Sequence, residues 1–224
     1  HTDQDRKVLD EYATTPCITR LMGWATAAFA FYFPLQFNHY AETATKLSTH
    51  EPGLKSDLPH SAFAAHSANP GPNAFSYMHE DFLNLAFGIC AIQALGKFDS
   101  TKGGHMYFPQ LKFATEFPSG CMILFPSAAL THGNVPIQPK ETRSSLVHYS
   151  SAGLFRYTDY GFRTKTSIKA GMTDSEWKQW EKEDNEKNGE RLATALNMFS
   201  TVASLFTDHD KVWPPKARPT KKRK

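Results

Sequence analysis

Between Leu85 and Tyr149 the chain is cut into five or six short apolar segments, each closed by glycine or proline, and this spacing constrains the fold more than any other feature. Leu85 to Leu95 is mostly apolar, as expected for a strand buried on both faces, and Gly96 to Gly104 is a turn region ending in a Gly-Gly pair. Leu111, Phe113, Thr115 and Phe117 alternate with Lys112, Ala114 and Glu116, the period of a half-buried strand. Pro118-Ser119-Gly120 turns the chain, and Cys121 to Phe125 is a continuous apolar strand that Pro126 stops. Leu146, Val147 and Tyr149 continue a strand that begins near Arg143. Short strands at this spacing predict a sandwich or barrel, hence an α+β protein with a mainly β core.

The flanks are helical. Asp3 to Ala13 reads as a short polar helix, Pro16 is placed to start a second, and Pro34 should end or kink the apolar stretch from Ile18 to Tyr32. Phe37 to Leu47 predicts another helix, and Leu58 to Met78, dense in Asn, Pro and Gly, predicts a loop. Past Lys165, Thr173 with Glu176 three residues on marks a capping-box start. The helix so begun puts Trp177 and Trp180 on one face, and Leu192, Leu196, Phe199 and Phe206 repeat at helical spacing, an apolar face expected to pack on the outer wall of the core. The expected organisation is a single domain over 1–210, with a helical part at 1–57, a β core at 58–165 and a second helical part at 166–210, followed by a basic tail at 211–224.

With 224 residues, 40% of them hydrophobic, the chain has enough apolar material for one such core. Three widely spaced cysteines, Cys17, Cys90 and Cys121, argue against a disulfide framework and for a reducing, intracellular compartment. The apolar run from Trp24 to Leu35 is too short to span a bilayer, so no membrane association is expected. No secretory leader is visible in a chain that begins at His1 without an initiator methionine. Net charge is +3, but seven Lys and Arg and no acid lie between Lys211 and Lys224; the +3 less those seven leaves the remainder at −4. The tail is a nuclear-import or polyanion-binding candidate.

Chemistry concentrates between His79 and Arg143. In His79-Glu80-Asp81, alternation sets an imidazole and a carboxylate on the same side, able to grip one ion. A second imidazole, His132, follows 51 residues after Asp81, and Arg143 stands 11 residues beyond it. Two histidines and one carboxylate leave the remaining positions of a metal open, the arrangement of non-haem Fe(II) oxygenases. The planar fork of Arg143 can hold the remote carboxylate of a keto-acid co-substrate, with Ser145 as a second donor. Asn69 and Asn73, on the loop leading into the motif, are further candidate contacts to keto-acid or substrate, although asparagine at such positions commonly closes turns. His60, His66 and His105 complete no ligand set. Phe75, Tyr77 and Phe87 lie near the motif, with core packing as their default reading.

The order of these parts resembles the 2-oxoglutarate and Fe(II)-dependent dioxygenase superfamily, whose fold is a double-stranded β-helix (jelly roll). A narrower resemblance covers Asn69 to Arg163, about two fifths of the chain. The segments His79 to Leu85, Ala94 to Asp99, Thr131 to Ile137 and Glu141 to Leu146, extended by Gly153 to Tyr157, look like the TET/JBP-like dioxygenases expanded in mushroom-forming fungi. The resemblance implies that His79, Asp81 and His132 hold Fe(II), and that Arg143 and Ser145 bind 2-oxoglutarate. Molecular oxygen would be the other co-substrate. It further implies oxidation of methyl groups on nucleic-acid bases, 5-methylcytosine-type or N6-methyladenine in DNA, reached by flipping the base out of the duplex. The acid at Asp81, replaced by a small residue in related halogenases, points to hydroxylation.

Two alternatives stand beside this reading. The acidic body, and the want of a Cys-rich zinc module, fit a 2-oxoglutarate-dependent hydroxylase of a protein side chain or small metabolite. A non-catalytic β-helix binding protein is the other.

Overall fold

The computed structural model describes residues 2–54 and 61–214. His60 and most of the basic tail, residues 215–224, lie outside the described residues. Three helices open the chain: α1 (Asp3–Thr14), α2 (Pro16–Tyr32) and α3 (Pro34–His50). Pro34 does not merely end α2; it occupies the first position of α3, where its missing N–H is no loss, so only Phe33 separates the two helices. That is why α3 begins before the apolar pattern from Phe37 to Leu47; at its other end it runs on to His50.

Two antiparallel sheets follow. The larger has strand order β1 (Ala65–Asn69), β7 (Thr142–Tyr149), β2 (Cys90–Lys97) and β5 (Met122–Phe125); the smaller has order β4 (Phe113–Thr115), β3 (Met106–Phe108) and β6 (Gly133–Asn134). Alternation sorts the large sheet into two faces. Ala91, Met122 and Leu124 turn toward the helices, where they join Ala25 and Phe29 of α2, Tyr40 of α3 and Phe155 in a buried aromatic layer. Full burial of a ring such as Phe29 stabilises the fold by about 1.5–3 kcal/mol. Ala94 and Phe125 turn the other way and pack with Met106 and Phe108 of β3 and with Phe117, so the two sheets share a second apolar core. The result is a mixed α and β architecture in which antiparallel sheets face each other and helices cover one side.

Three expectations need correction. The segment Leu85–Leu95 does not form one strand: Asp81 to Ile89 runs in turns, with Asn84 N–H donating to Asp81 O at 2.8 Å and Gly88 N–H to Leu85 O at 2.8 Å, and β2 starts only at Cys90. The stretch 58–78 is not all loop, since Ala65–Asn69 pairs along β7; its polar residues belong on an exposed edge, which hides it from a hydrophobic pattern. The alternation at 111–117 is interrupted by a 3₁₀ turn, Pro109–Leu111, and by Lys112 at φ 48°, leaving Phe113 exposed and Phe117 buried.

The chain closes with α4 (Ala152–Asp159), α5 (Lys165–Ala170), α6 (Asp174–Glu186), α7 (Asn188–Asn197) and α8 (Leu205–Val212). Thr173 and Glu176 form the reciprocal capping box at the start of α6. The apolar face expected beyond Gly189 divides: Phe199 packs against Phe33, whereas Leu192 and Leu196 on α7 and Phe206 on α8 are exposed, and the helix ends at Asn197, so one helical period does not run through all four. Among the described residues no helix is long and apolar enough to cross a membrane. Cys17, Cys90 and Cys121 are all free.

Candidate functional site

The inner face of the large sheet floors a cavity of about 550 Å³. Because the period of a strand is two, β7 offers Arg143, Ser145, Val147 and Tyr149 to it in succession. The register Asn69↔Ser145 and Ser67↔Val147 brings two polar side chains of β1 alongside, and Ile92↔Val147 adds one residue of β2. Met106, Gly133 and Asn134 of the small sheet line the facing wall. At one end the segments around His79 and His132 meet.

Those segments form an isolated antiparallel bridge, in which the N–H of each histidine donates to the C=O of the other at 3.0 Å. Their rings lie 4.3 Å apart between centroids, and each Nδ1 sits 2.8 Å from the carbonyl oxygen two residues upstream, Tyr77 O for His79 and Leu130 O for His132. The shared arrangement commits Nδ1–H to the backbone and leaves both Nε2 lone pairs as ligands, the orientation that metal-binding histidines need. Asp81 Oδ1 is 3.6 Å from His79 Nε2, and ligand atoms of His79, Asp81 and His132 all lie within 4.8 Å of one another. His132 is buried with the edge of Phe125 against its ring, and this burial lowers its pKa below the ordinary imidazole value, keeping the ring neutral and able to coordinate. A donor set of two neutral imidazoles and one carboxylate suits a divalent transition ion with positions to spare. Among the described residues this is the one such group.

The other end of the cavity holds Arg143, 3% exposed. Its Nη1 donates to Ala74 O at 2.6 Å, its Nε has no partner, and no carboxylate among the described residues pairs with it. The rings of Phe98 and Phe117 lie 6.0 and 5.8 Å from the guanidinium carbon. Desolvation draws its pKa down, yet a guanidinium stays a cation at any physiological pH. Two glycines let the chain pack this tightly. A Cβ on Gly71 would strike Arg143 O and one on Gly96 would strike Thr142 O, and both glycines have positive φ, which L side chains rarely adopt. Ser145, buried next along the face, accepts a hydrogen bond from Asn69 Nδ2 at 3.0 Å, which leaves its own proton to donate.

Six of the seven residues singled out from the sequence, Asn69, His79, Asp81, His132, Arg143 and Ser145, therefore border one cavity. Asn73 does not; it stands opposite Arg143 in a parallel bridge, in which Arg143 N–H donates to Pro72 O at 2.6 Å and Ala74 N–H donates to Arg143 O at 3.0 Å, and it does not line the cavity. Phe87 packs in the aromatic layer as its default reading has it, but Phe75 and Tyr77 do not: they stack edge-to-face at 5.2 Å on the surface, with Tyr77 81% exposed. Phe82 and Leu83, directly after Asp81, border the cavity and are 80% and 69% exposed. Tyr149 and Ser67 were missed as lining residues, although extending the period of two from Arg143 and Ser145 reaches Tyr149.

No protein-family model and no curated protein matches the chain. Among solved structures, it is similar to NgTET1 in complex with 5mC DNA, at 14% identity and a TM-score of 0.37 over 55% of this chain and 51% of that one, so it spans about half of that neighbour. It is also similar to the viral collagen prolyl hydroxylase vCPH from Paramecium bursaria Chlorella virus-1 in its 2OG complex, at 14% identity and a TM-score of 0.28 over 49% of this chain and 69% of that one.

Proposed function

We propose that this chain is an Fe(II)- and 2-oxoglutarate-dependent dioxygenase on a double-stranded β-helix. The observation that carries the reading is the pairing, in one cavity, of a His-Asp-His cluster with a buried guanidinium that has no counter-ion among the described residues. Leaving such a cation unpaired is costly, and an anionic ligand removes the cost. His79, Asp81 and His132 would hold the ion. Arg143 and the Ser145 hydroxyl would bind the distal carboxylate of the co-substrate, with Asn69 fixing Ser145. Bound iron, 2-oxoglutarate and oxygen supply an oxidant for an unactivated C–H bond, with succinate and carbon dioxide released. The protein's own part is orientation: Arg143 would fix the far end of the keto-acid, the Nδ1 hydrogen bonds and the Phe125 ring fix the imidazoles, and Val147, Ile92 and Met106 keep the cavity wall apolar.

For the substrate we propose a methylated nucleic-acid base. Tyr77, Phe82 and Leu83 expose large apolar area on the same peptide that carries the ligands, and a flat ring can stack there while its methyl group approaches the metal. The basic tail would add affinity for a polyanion and a nuclear address. The acidic body and the Glu80 carboxylate at the cavity edge favour a second reading, a side chain or metabolite of less negative charge. Incubation with Fe(II), 2-oxoglutarate and oligonucleotides bearing 5-methylcytosine or N6-methyladenine, followed by mass spectrometry, separates the two. Oxidised bases with stoichiometric succinate support the first. Oxygen-dependent succinate with unaltered DNA supports the second.

A further inference from the structure

The bridge between His79 and His132 is a single residue pair long, far too short to set its own register, and a slip of one residue would carry a ligand about 3.4 Å along the chain. The next pair along, Glu80 and Thr131, supplies what the backbone lacks. Thr131 Oγ1 donates to Glu80 Oε1 at 2.5 Å, and Thr131 Oγ1 in turn accepts from Gln110 Nε2, which also reaches Glu80 Oε1 at 3.5 Å. Gln110 sits in the 3₁₀ turn between β3 and β4, so this chain of hydrogen bonds ties three separate segments together directly beside the ligand cluster.

We propose that Gln110, Thr131 and Glu80 form a latch that fixes the register of the His79–His132 bridge and thereby positions both imidazoles for a divalent metal. None of the three touches the ion; they are positioning residues. The inference rests on the reading of His79, Asp81 and His132 as metal ligands. It adds that their geometry is set from the small sheet, through a hydroxyl with two partners that no apolar side chain can replace. A charge-assisted bond from Thr131 to a carboxylate is the strong member, and Gln110 orients it.

The test titrates the full chain anaerobically with Co(II) and reads the visible d–d absorption, whose energy and intensity report ligand geometry. Thr131→Val is expected to weaken Co(II) binding by about 10- to 100-fold and to alter the band shape, as loss of outer hydrogen bonds does at metal sites. Thr131→Ser should restore both. Gln110→Ala, on an exposed turn, should produce the same change of band shape with a smaller loss of affinity, and answers the question if Thr131→Val does not fold. Wild-type affinity and spectrum in folded Thr131→Val, or in Gln110→Ala where Thr131→Val does not fold, overturn the latch while leaving the metal site standing. If the wild-type chain gives no Co(II) band above that of His79→Ala, the metal reading itself falls and the latch falls with it.

Discussion

Arg143 and Asp184 are both buried charges, 3% and 7% exposed, and the fold treats them in opposite ways. Asp184, in α6, is held by Arg191 Nη2 at 2.5 Å, Lys165 Nζ at 3.4 Å and the Tyr160 hydroxyl at 2.8 Å. Arg143 has one carbonyl, two aromatic rings and no carboxylate among the described residues. The first arrangement is complete and ties α4, α5, α6 and α7 together. The second is incomplete, and a fold keeps a desolvated, unpaired cation only where something else completes it. His148 shows a third solution. Buried on β7, with Gln93 Oε1 at 3.4 Å as its one hydrogen-bond partner among the described residues, it sheds its charge: burial, aided by neighbouring His66, lowers its pKa to about 4. On the proposed reading, the difference is that Arg143, without a carboxylate partner among the described residues, marks the binding end, while the balanced Asp184 and the neutral His148 mark structure.

The largest effect is expected where the cavity loses a ligand. His132→Ala should reduce oxygen-dependent succinate formation to background and abolish tight metal binding in equilibrium dialysis, since two ligands do not hold the ion in place. Retained turnover would sever the cavity from the proposed chemistry. Next comes His148, where linkage fixes the sign. The unfolded chain takes up a proton near pH 6.5, the folded chain only near pH 4, so stability falls as pH drops through that window, by an amount on the order of 3 kcal/mol. Urea melts between pH 7 and 4 should show this slope in the wild type and a shallower one in His148→Gln. Equal slopes would mean that His148 is not held neutral. Arg143→Met then tests the unpaired charge directly. It should weaken 2-oxoglutarate binding by about 1.5–3 kcal/mol, roughly ten- to a hundredfold, in calorimetric titration, while the melting temperature holds or rises because a costly buried cation is gone.

The same contrast explains what was legible beforehand. Arg143 and Ser145 share one face through the period of two along β7, whereas His79, Asp81 and His132 lie outside the named strands and meet through the isolated His79–His132 bridge, so their spacing in the sequence was legible but the strand end expected to carry the first pair was not. Asn69 followed from its place before the motif, but β1, which carries it, did not, because an exposed polar edge strand has no hydrophobic period to read. Asn73 misled for a related reason: it stands opposite Arg143 in a bridge whose hydrogen bonds are made by the backbones of its neighbours Pro72 and Ala74, and its side chain does not line the cavity. The surface position of Tyr77 and Phe82 was hidden because an aromatic residue next to a motif looks the same whether it packs inward or waits at a mouth. Asp184 was not singled out at all. Its partners come from Tyr160 just past α4, from α5 and from α7, and long-range ion pairs leave no local pattern. The outer wall expected to cover Leu192, Leu196 and Phe206 does not form: all three are exposed, and the helical run they were read from is divided between α7 and α8.

Asp184→Asn is expected to have the smallest effect and to sharpen the comparison most. Burial pushes the Asp184 carboxyl upward, but hydrogen bonds from Arg191 and Tyr160 outweigh it and hold the group below the usual carboxylate range. A depressed folded value gives stability that is present above the unfolded pKa of about 3.9 and lost as pH falls through the lower folded value. Arg191 and Lys165 are 43% and 45% exposed and regain water when the charge is removed, so the loss at pH 7 should be about 1 kcal/mol rather than the larger cost of stranding a fully buried partner. Paired melts of wild type and Asp184→Asn should differ at pH 7 and converge as the pH drops below about 4. The decisive outcome is the relative one. If neutralising the satisfied carboxylate costs stability and neutralising the unsatisfied guanidinium costs none, completeness of pairing separates scaffold from site in this chain; if Arg143→Met is the more destabilising of the two, Arg143 belongs to the scaffold and the cavity loses its anion-binding end.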